Sequence, residues 1–241
     1  MNKVSTLFNF LLDIVEFNYK RNLIKILREN FGNDINVVFD VGAHKGETSE
    51  MLLKNFNINK IHLFEPQIDN FLDLERNLKG KYNKNKLILN NFALGEENKK
   101  SQIKTVLESS SSTINSVNTK TKYYKRKEKI LNIFNANSKI KTSEIEVRSS
   151  NEYIVGQRIN KIDLIKIDTE GYEYYILKNI KNYLKNIKLI LFEHHYDLMI
   201  IKNYKFKDIN NLLVSNNFKQ IFKSKMMFRK SFEYIYINKS Y

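Results

Sequence analysis

The chain has 241 residues, enough for one domain with a sizeable core, and 42% of them are hydrophobic. It contains no cysteine, which excludes disulfides, thiolate metal sites and cysteine nucleophiles. A formal net charge of +15 admits an anionic partner such as nucleic acid, yet the basic residues are spread along an Asn-, Lys- and Ile-rich chain, as a solvated basic surface also would be.

No apolar run with a small-residue cleavage site opens the sequence, and no stretch approaches ~18 uninterrupted apolar residues. Neither a signal peptide nor a membrane span is expected, and the expected setting is a reduced cytoplasm. Leu7, Leu11, Ile14, Phe17, Ile24 and Leu27 outline one face of a helix from about Val4 to Glu29, with Lys20, Arg21, Lys25 and Arg28 opposite. This N-terminal helical segment, 1–33, either packs against its own domain or lies on an anionic membrane surface. Gly32-Asn33-Asp34 ends it. The remainder, 34–241, reads as one α/β domain.

Val37-Val38-Phe39 is a buried-strand run that leads into Asp40-x-Gly42-x-x-x-Gly46, and Thr48, Met51, Leu52 and Phe56 then mark one side of a helix. Glycines in such a strand-to-helix turn permit unusual backbone angles and close approach of a ligand. A dinucleotide fingerprint would instead read G-x-G-x-x-G. An acid ahead of the first glycine repels phosphates and suits an ammonium or sulfonium; S-adenosylmethionine carries both. Asp40, Gly42, Ala43, His44 and Gly46 are therefore candidate cofactor-binding residues. The second strand, Lys60 to Phe64, ends in Glu65-Pro66, roughly 20–25 residues past the turn, where α/β nucleotide sites place an acid for the ribose hydroxyls. Glu65 joins the set.

Ile68, Phe71, Leu74 and Leu78 continue as a helix, and Lys86 to Asn90 reads as the third strand, followed by the turn Asn91-Phe92-Ala93-Leu94-Gly95. The middle, about 101–148, departs from strand–helix alternation. Gln102–Leu107 and Glu144–Arg148 alternate as half-exposed strands do. Between them lie Ser109 to Thr113 and a polar stretch holding Lys120, Lys122, Lys125, Arg126, Lys127 and Lys129, interleaved with Tyr123, Tyr124 and Phe134. Long connections of this kind are often lids or solvated segments, and this one is expected to face the substrate.

Ile162 to Ile167 is the next buried strand, ending at Asp168-Thr169-Glu170-Gly171; Ile176, Leu177, Ile180 and Leu184 face inward from the helix beyond. Leu189 to Phe192 is another strand, ending in Glu193-His194-His195. Phe206, Ile209 and Leu213 outline a last helix, and Gln220–Phe222 with Phe232–Ile237 look like a closing pair of strands. Asp168, Glu170, Glu193 and His195 are the candidate catalytic groups. They could take a hydroxyl proton, general-base work worth about 10²–10⁴-fold. Each also has a structural reading, such as helix capping by Asp168 or dipole complementation by Glu170. Asp168, Glu193 and a histidine could instead hold a divalent cation, but no fixed ligand spacing supports one, and no metal site is expected.

FDVGAHKGETS (Phe39 to Ser49), FEP (Phe64 to Pro66), NFALG (Asn91 to Gly95), DLIKIDTEGYEYYILKN (Asp163 to Asn179) and LFEHH (Leu191 to His195) together resemble the FkbM-type S-adenosylmethionine-dependent methyltransferases. His44 stands where many members carry Asn. The resemblance implies a Rossmann-like class I methyltransferase, a doubly wound, mostly parallel seven-stranded sheet with helices on both faces and its last strand inserted antiparallel. It implies that Asn91, Ala93 and Leu94 flank the adenine. It further implies O-methylation of a saccharide or a glycosylated or polyketide-like metabolite, so the expected partner is a small-molecule or glycan acceptor. The alternatives are a nucleic-acid methyltransferase and a non-catalytic module that kept the fold. The Asn/Asp-Pro-Pro-aromatic tetrapeptide of base-directed enzymes is absent, the only proline being Pro66.

Overall fold

The computed structural model describes residues 19–106, 112–133, 140–226 and 230–241. The N-terminal half of the expected first helix, and parts of the Ser109–Phe134 stretch, lie outside the described residues. Helix α1 covers 19–31. It is followed by β1 (Asp34–Val41), α2 (Glu47–Asn55), β2 (Asn57–Phe64), α3 (Ile68–Leu78) and β3 (Leu87–Asn90). The middle holds β4 (Ala93–Gly95), β5 (Lys99–Thr105), β6 (Ser112–Thr113), β7 (Ser116–Val117), α4 (Lys122–Ile133) and β8 (Lys141–Ser149). Then come α5 (Ser150–Gly156), β9 (Ile162–Ile167), α6 (Glu173–Asn179), β10 (Ile187–His195), β11 (Ile200–Ile201), α7 (Phe206–Ser215), β12 (Phe218–Lys225) and β13 (Ser231–Asn238).

The main sheet runs β12-β13-β10-β9-β1-β2-β3, with β13 antiparallel to both neighbours and the other pairings parallel. This is the doubly wound, seven-stranded arrangement that the sequence predicts, and its strand order reverses beside β1, where such sheets take their ligands. Side-chain alternation sorts the strands onto two cores. Phe39, Val41, Ile165, Ile167 and Phe192 pack under α5, α6 and α7, while Val38, Leu164, Leu189, Leu191 and Ile235 pack under α1, α2 and α3. Leu23 and Leu27 of α1 are fully buried in the second core, so the described part of the N-terminal helix packs against the domain.

The middle of the chain, expected as a substrate-facing excursion between two half-exposed strands, folds as a small subdomain. The two alternating segments pair as β5 and β8, and β4-β8-β5-β6 form a second sheet. The basic stretch is helical, not a loop: Tyr124 of α4 buries its ring with Val106, Met199 and Ile200, leaving Lys122, Lys125, Arg126 and Lys129 exposed. Tyrosines interleaved with lysines give a weak periodicity, which is why the helix was hidden. This subdomain is fastened to the carboxyl edge of the main sheet. Thr113 donates to the Glu170 carbonyl at 2.7 Å, Asn115 to the Gly171 carbonyl at 2.7 Å, and Thr105 to Gln67 at 2.8 Å.

Candidate active site

The glycine turn after β1 is shaped by its neighbours. Gly42 sits at φ +80°, and a Cβ there would stand 1.9 Å from the Asp168 carbonyl oxygen. Gly46, at φ +92°, would press a Cβ to 2.8 Å from Leu74. Both glycines are thus required by chain-on-chain packing, of the β1 tip on the β9 tip and of α2 on α3. His44 lies between them at φ +50°, a left-handed conformation that Asn and His adopt more readily than most residues.

That turn presents its main chain to Glu65. The His44 N–H donates to one Glu65 carboxylate oxygen at 3.0 Å and the Gln67 N–H to the other at 2.9 Å. The carboxylate, to which the Asn70 side chain also donates, keeps lone-pair capacity for a ligand. Burial nevertheless pushes the Glu65 carboxyl up to about 7, against the pull of those donors. Asn91 does not reach the cavity; its amide donates to the Glu65 and Pro66 carbonyls and braces the loop. Ala93 and Leu94 do line it, beside Phe64 and Pro66.

Asp40 is placed differently from its expected role. Its carboxylate is 0% exposed and lies outside the cavity wall. Ser49 donates to it at 2.5 Å, and Lys166 Nζ stands 3.0 Å away. The same Nζ donates to the Gly42 carbonyl at 3.1 Å and sits 3.7 Å from Asp168. Burial alone would lower the Lys166 ammonium, but Asp40 and Asp168 together drive it upward, so it stays charged. Asp40 therefore holds the lysine that joins the two strand tips, and its charge is already answered within the protein.

The β9 tip is strained and pinned. Glu170 adopts φ +49°, rare for a residue with a side chain, and Gly171 follows at +99°. Buried Glu173 accepts the Gly171 N–H at 2.8 Å and the Tyr204 hydroxyl. Nε2 of His195 lies 3.0 Å from Glu170 and 3.5 Å from Glu193, while Nδ1 lies 3.5 Å from Asp197. Burial opposes its protonation, but these three carboxylates hold His195 well above the usual imidazole range. Its neighbour His194 faces the other core and is pushed down to about 3 by burial. His195 was expected as a possible base; an imidazolium clamped by three acids has no lone pair to take a proton, and it lies behind the cavity wall.

The cavity itself encloses about 670 Å³ along the carboxyl edge, within the usual range for ligand sites. Gly42, Ala43, His44, Glu65, Ala93, Leu94, Asp168, Glu170 and Glu193 line it, so most of the expected site residues converge; Asp40, Gly46, Asn91 and His195 stand outside as supports. Other contributors were missed. Tyr19 of α1, Lys166 and Glu233 also form the wall. Lys166 and Glu233 each interrupt an apolar strand, and a lone charge in such a run signals a buried partner or a site. Tyr19 gave no signal, because its partner lies at the other end of the chain. Among the described residues no group of three or more acids and histidines is arranged to hold a metal ion, and no helix is long and apolar enough to cross a membrane.

The sequence profile of the methyltransferase FkbM domain matches residues 40–220. No curated protein matches the chain. Among solved structures, the methyltransferase FkbM from Methylobacillus flagellatus KT superposes with a TM-score of 0.56 at 15% identity, covering 85% of this chain and 44% of that one. Magnesium protoporphyrin IX methyltransferase from Synechocystis PCC 6803, solved with bound SAM, gives 0.52 at 9% identity, over 92% of this chain and 78% of that one. At these identities the likeness is one of fold, and the chain spans under half the length of the Methylobacillus protein. The profile match extends over well more than half of the sequence, from the glycine turn to β12, and by it the chain belongs to the FkbM methyltransferase domain family.

Proposed function

We propose that the protein is an S-adenosylmethionine-dependent O-methyltransferase acting on a hydroxyl of a saccharide or a glycosylated or polyketide-like metabolite. The observation that carries the donor assignment is Glu65, a buried carboxylate aimed into the cavity with one main-chain N–H on each oxygen and capacity left for a ribose diol. The residues present fit this donor. The Ala93–Leu94 main chain and the apolar wall beside it suit a purine, and the acidic lining around Asp168 and Glu193 complements a sulfonium and an ammonium. When bound, the donor supplies an already activated methyl group. The protein's own contribution is then positioning, which supplies up to roughly 7–11 kcal/mol in favourable cases. Asp168 and Glu193, at the ends of adjacent strands β9 and β10, border the acceptor. His195 acts through Glu170 and Glu193, fixing their oxygens. Helix α1 and the β6 strand close the cavity against water.

Calorimetry with S-adenosylmethionine or S-adenosylhomocysteine tests the donor assignment. Absence of both binding heat and thermal shift would return the protein to the class of non-catalytic modules. A labelled-donor screen against cell glycan and metabolite fractions then tests the acceptor. The exposed lysines and arginine of α4 favour a second reading, a nucleic-acid acceptor. The acidic lining beside the donor end opposes it, since it repels phosphates. Tight RNA or DNA binding with a steep salt dependence would support that second reading over the first.

A further inference from the structure

The carboxylates at the acceptor end differ in their counter-ions. Asp168 has Lys166 at 3.7 Å, and Glu170 and Glu193 share His195. Glu233 has no such cation in ion-pair contact among the described residues. It is 9% exposed, lines the cavity, and its Oε2 lacks any hydrogen-bond partner. Tyr19 of α1 is hydrogen-bonded to the same carboxyl group. The β10–β13 register sets Glu233 directly opposite Glu193, so both side chains share the sheet face that α1 covers. A buried carboxylate oxygen left without a donor costs free energy unless a ligand hydroxyl supplies one.

We infer that Glu233 is the general base of the reaction, taking the acceptor's hydroxyl proton on its carboxylate. The inference rests on the O-methyl transfer proposed above and names a residue for a step which that reading leaves unassigned. The hydroxyl proton passes to Glu233, and the acceptor oxygen's electron pair forms the new O–CH3 bond. The S–CH3 bond breaks and leaves its pair on sulfur, giving a methyl ether, S-adenosylhomocysteine and a neutral Glu233 that returns its proton to solvent. The charged groups around Glu233 suit this work. Burial pushes its carboxyl up to about 8; Tyr19 from α1 draws it down, Glu193 and Asp168 raise it, and Lys166 opposes them, while Lys20 and Lys225 stand on the same cavity wall. A base is most effective when its pKa lies near the working pH.

The test pairs a titration with kinetics. Carboxyl ¹³C NMR of glutamate-labelled protein should show one signal titrating near pH 8, present in the parent and absent from Glu233→Gln. With the fraction that accepts label in the screen, Glu233→Gln should lower kcat by about 10²–10⁴-fold and abolish its rise with pH. Its affinity for S-adenosylhomocysteine should stay within about threefold. Glu233→Gln also removes a buried like charge, so the variant should fold. Tyr19→Phe, which removes a hydrogen bond to the carboxylate, should move the rise in kcat to higher pH, a shift that a purely structural glutamate would not give. Turnover by Glu233→Gln within about tenfold of the parent, or loss of donor binding alongside turnover, would overturn the inference. A parent protein that binds no S-adenosylhomocysteine would instead sink the methyl-transfer reading itself, and Glu233's role with it.

Discussion

Glu65 and Glu233 are two buried carboxyl groups at opposite ends of one cavity, and burial raises both, to about 7 and about 8. Their supports differ. Glu65 is gripped by two main-chain N–H groups that belong to the turns after β1 and β2. Glu233 has one tyrosine hydroxyl and faces another acid across the strand pair. A carboxylate held by rigid backbone donors is a preorganised acceptor for a ligand's hydroxyls. One held loosely among like charges readily takes a proton. The same residue type is thus set to two tasks by what surrounds it.

The largest expected effect removes the joint on which both ends lean. Gly42→Ala places a methyl against the Asp168 carbonyl at a left-handed backbone position. It should cost about 4 kcal/mol or more in urea unfolding, with binding at both ends lost together. Next, His195→Ala should cost about 3–5 kcal/mol, because Glu170, Glu193 and Asp197 lose their shared cation in a buried setting. The corresponding His195→Gln should be milder, and thermal melts of the pair check this.

Glu65→Ala separates the two ends. It should weaken S-adenosylhomocysteine binding by about 2 kcal/mol, the scale of hydrogen bonds to a charged group, while kcat at saturating donor changes little. The smallest effect is that of pH. Ribose hydroxyls donate to the ionised Glu65, so donor affinity should fall as pH drops below about 7, and Glu65→Gln should flatten that dependence. Stability should run the other way. Glu65, Glu233 and His195 all have folded-state pKa values above their ordinary ones, so what they contribute is fully present at low pH. It is lost as pH rises, through about 7 for Glu65 and about 8 for Glu233, so the melting temperature of the free protein should decline from pH 5 to 9.

The donor end was legible in the sequence because its parts are local. Asp40 to Gly46 and Glu65 sit at the tips of two consecutive strands, and an apolar run closed by a polar tip marks such a place without any knowledge of pairing. The acceptor end was legible only in pieces. Asp168, Glu170 and Glu193 were visible as tips, but Glu233 lies inside a strand and becomes a site residue only through its antiparallel register with β10. Tyr19 depends on α1 crossing the same face. Asp40 looked like a ligand contact because nothing local reveals that Lys166, in a different strand, neutralises it. The middle subdomain was hidden for a related reason: β6 and β7 are two-residue strands whose partners, Lys104–Thr105 and Ile200–Ile201, lie elsewhere in the chain.

Calorimetric titration of S-adenosylhomocysteine into the parent, Glu65→Ala and Glu233→Gln proteins at pH 8 tests the division of the cavity most directly. The predicted result is near-parental affinity for Glu233→Gln and a loss of roughly 30-fold for Glu65→Ala. Equal losses in the two variants, or undiminished binding by Glu65→Ala, would contradict it.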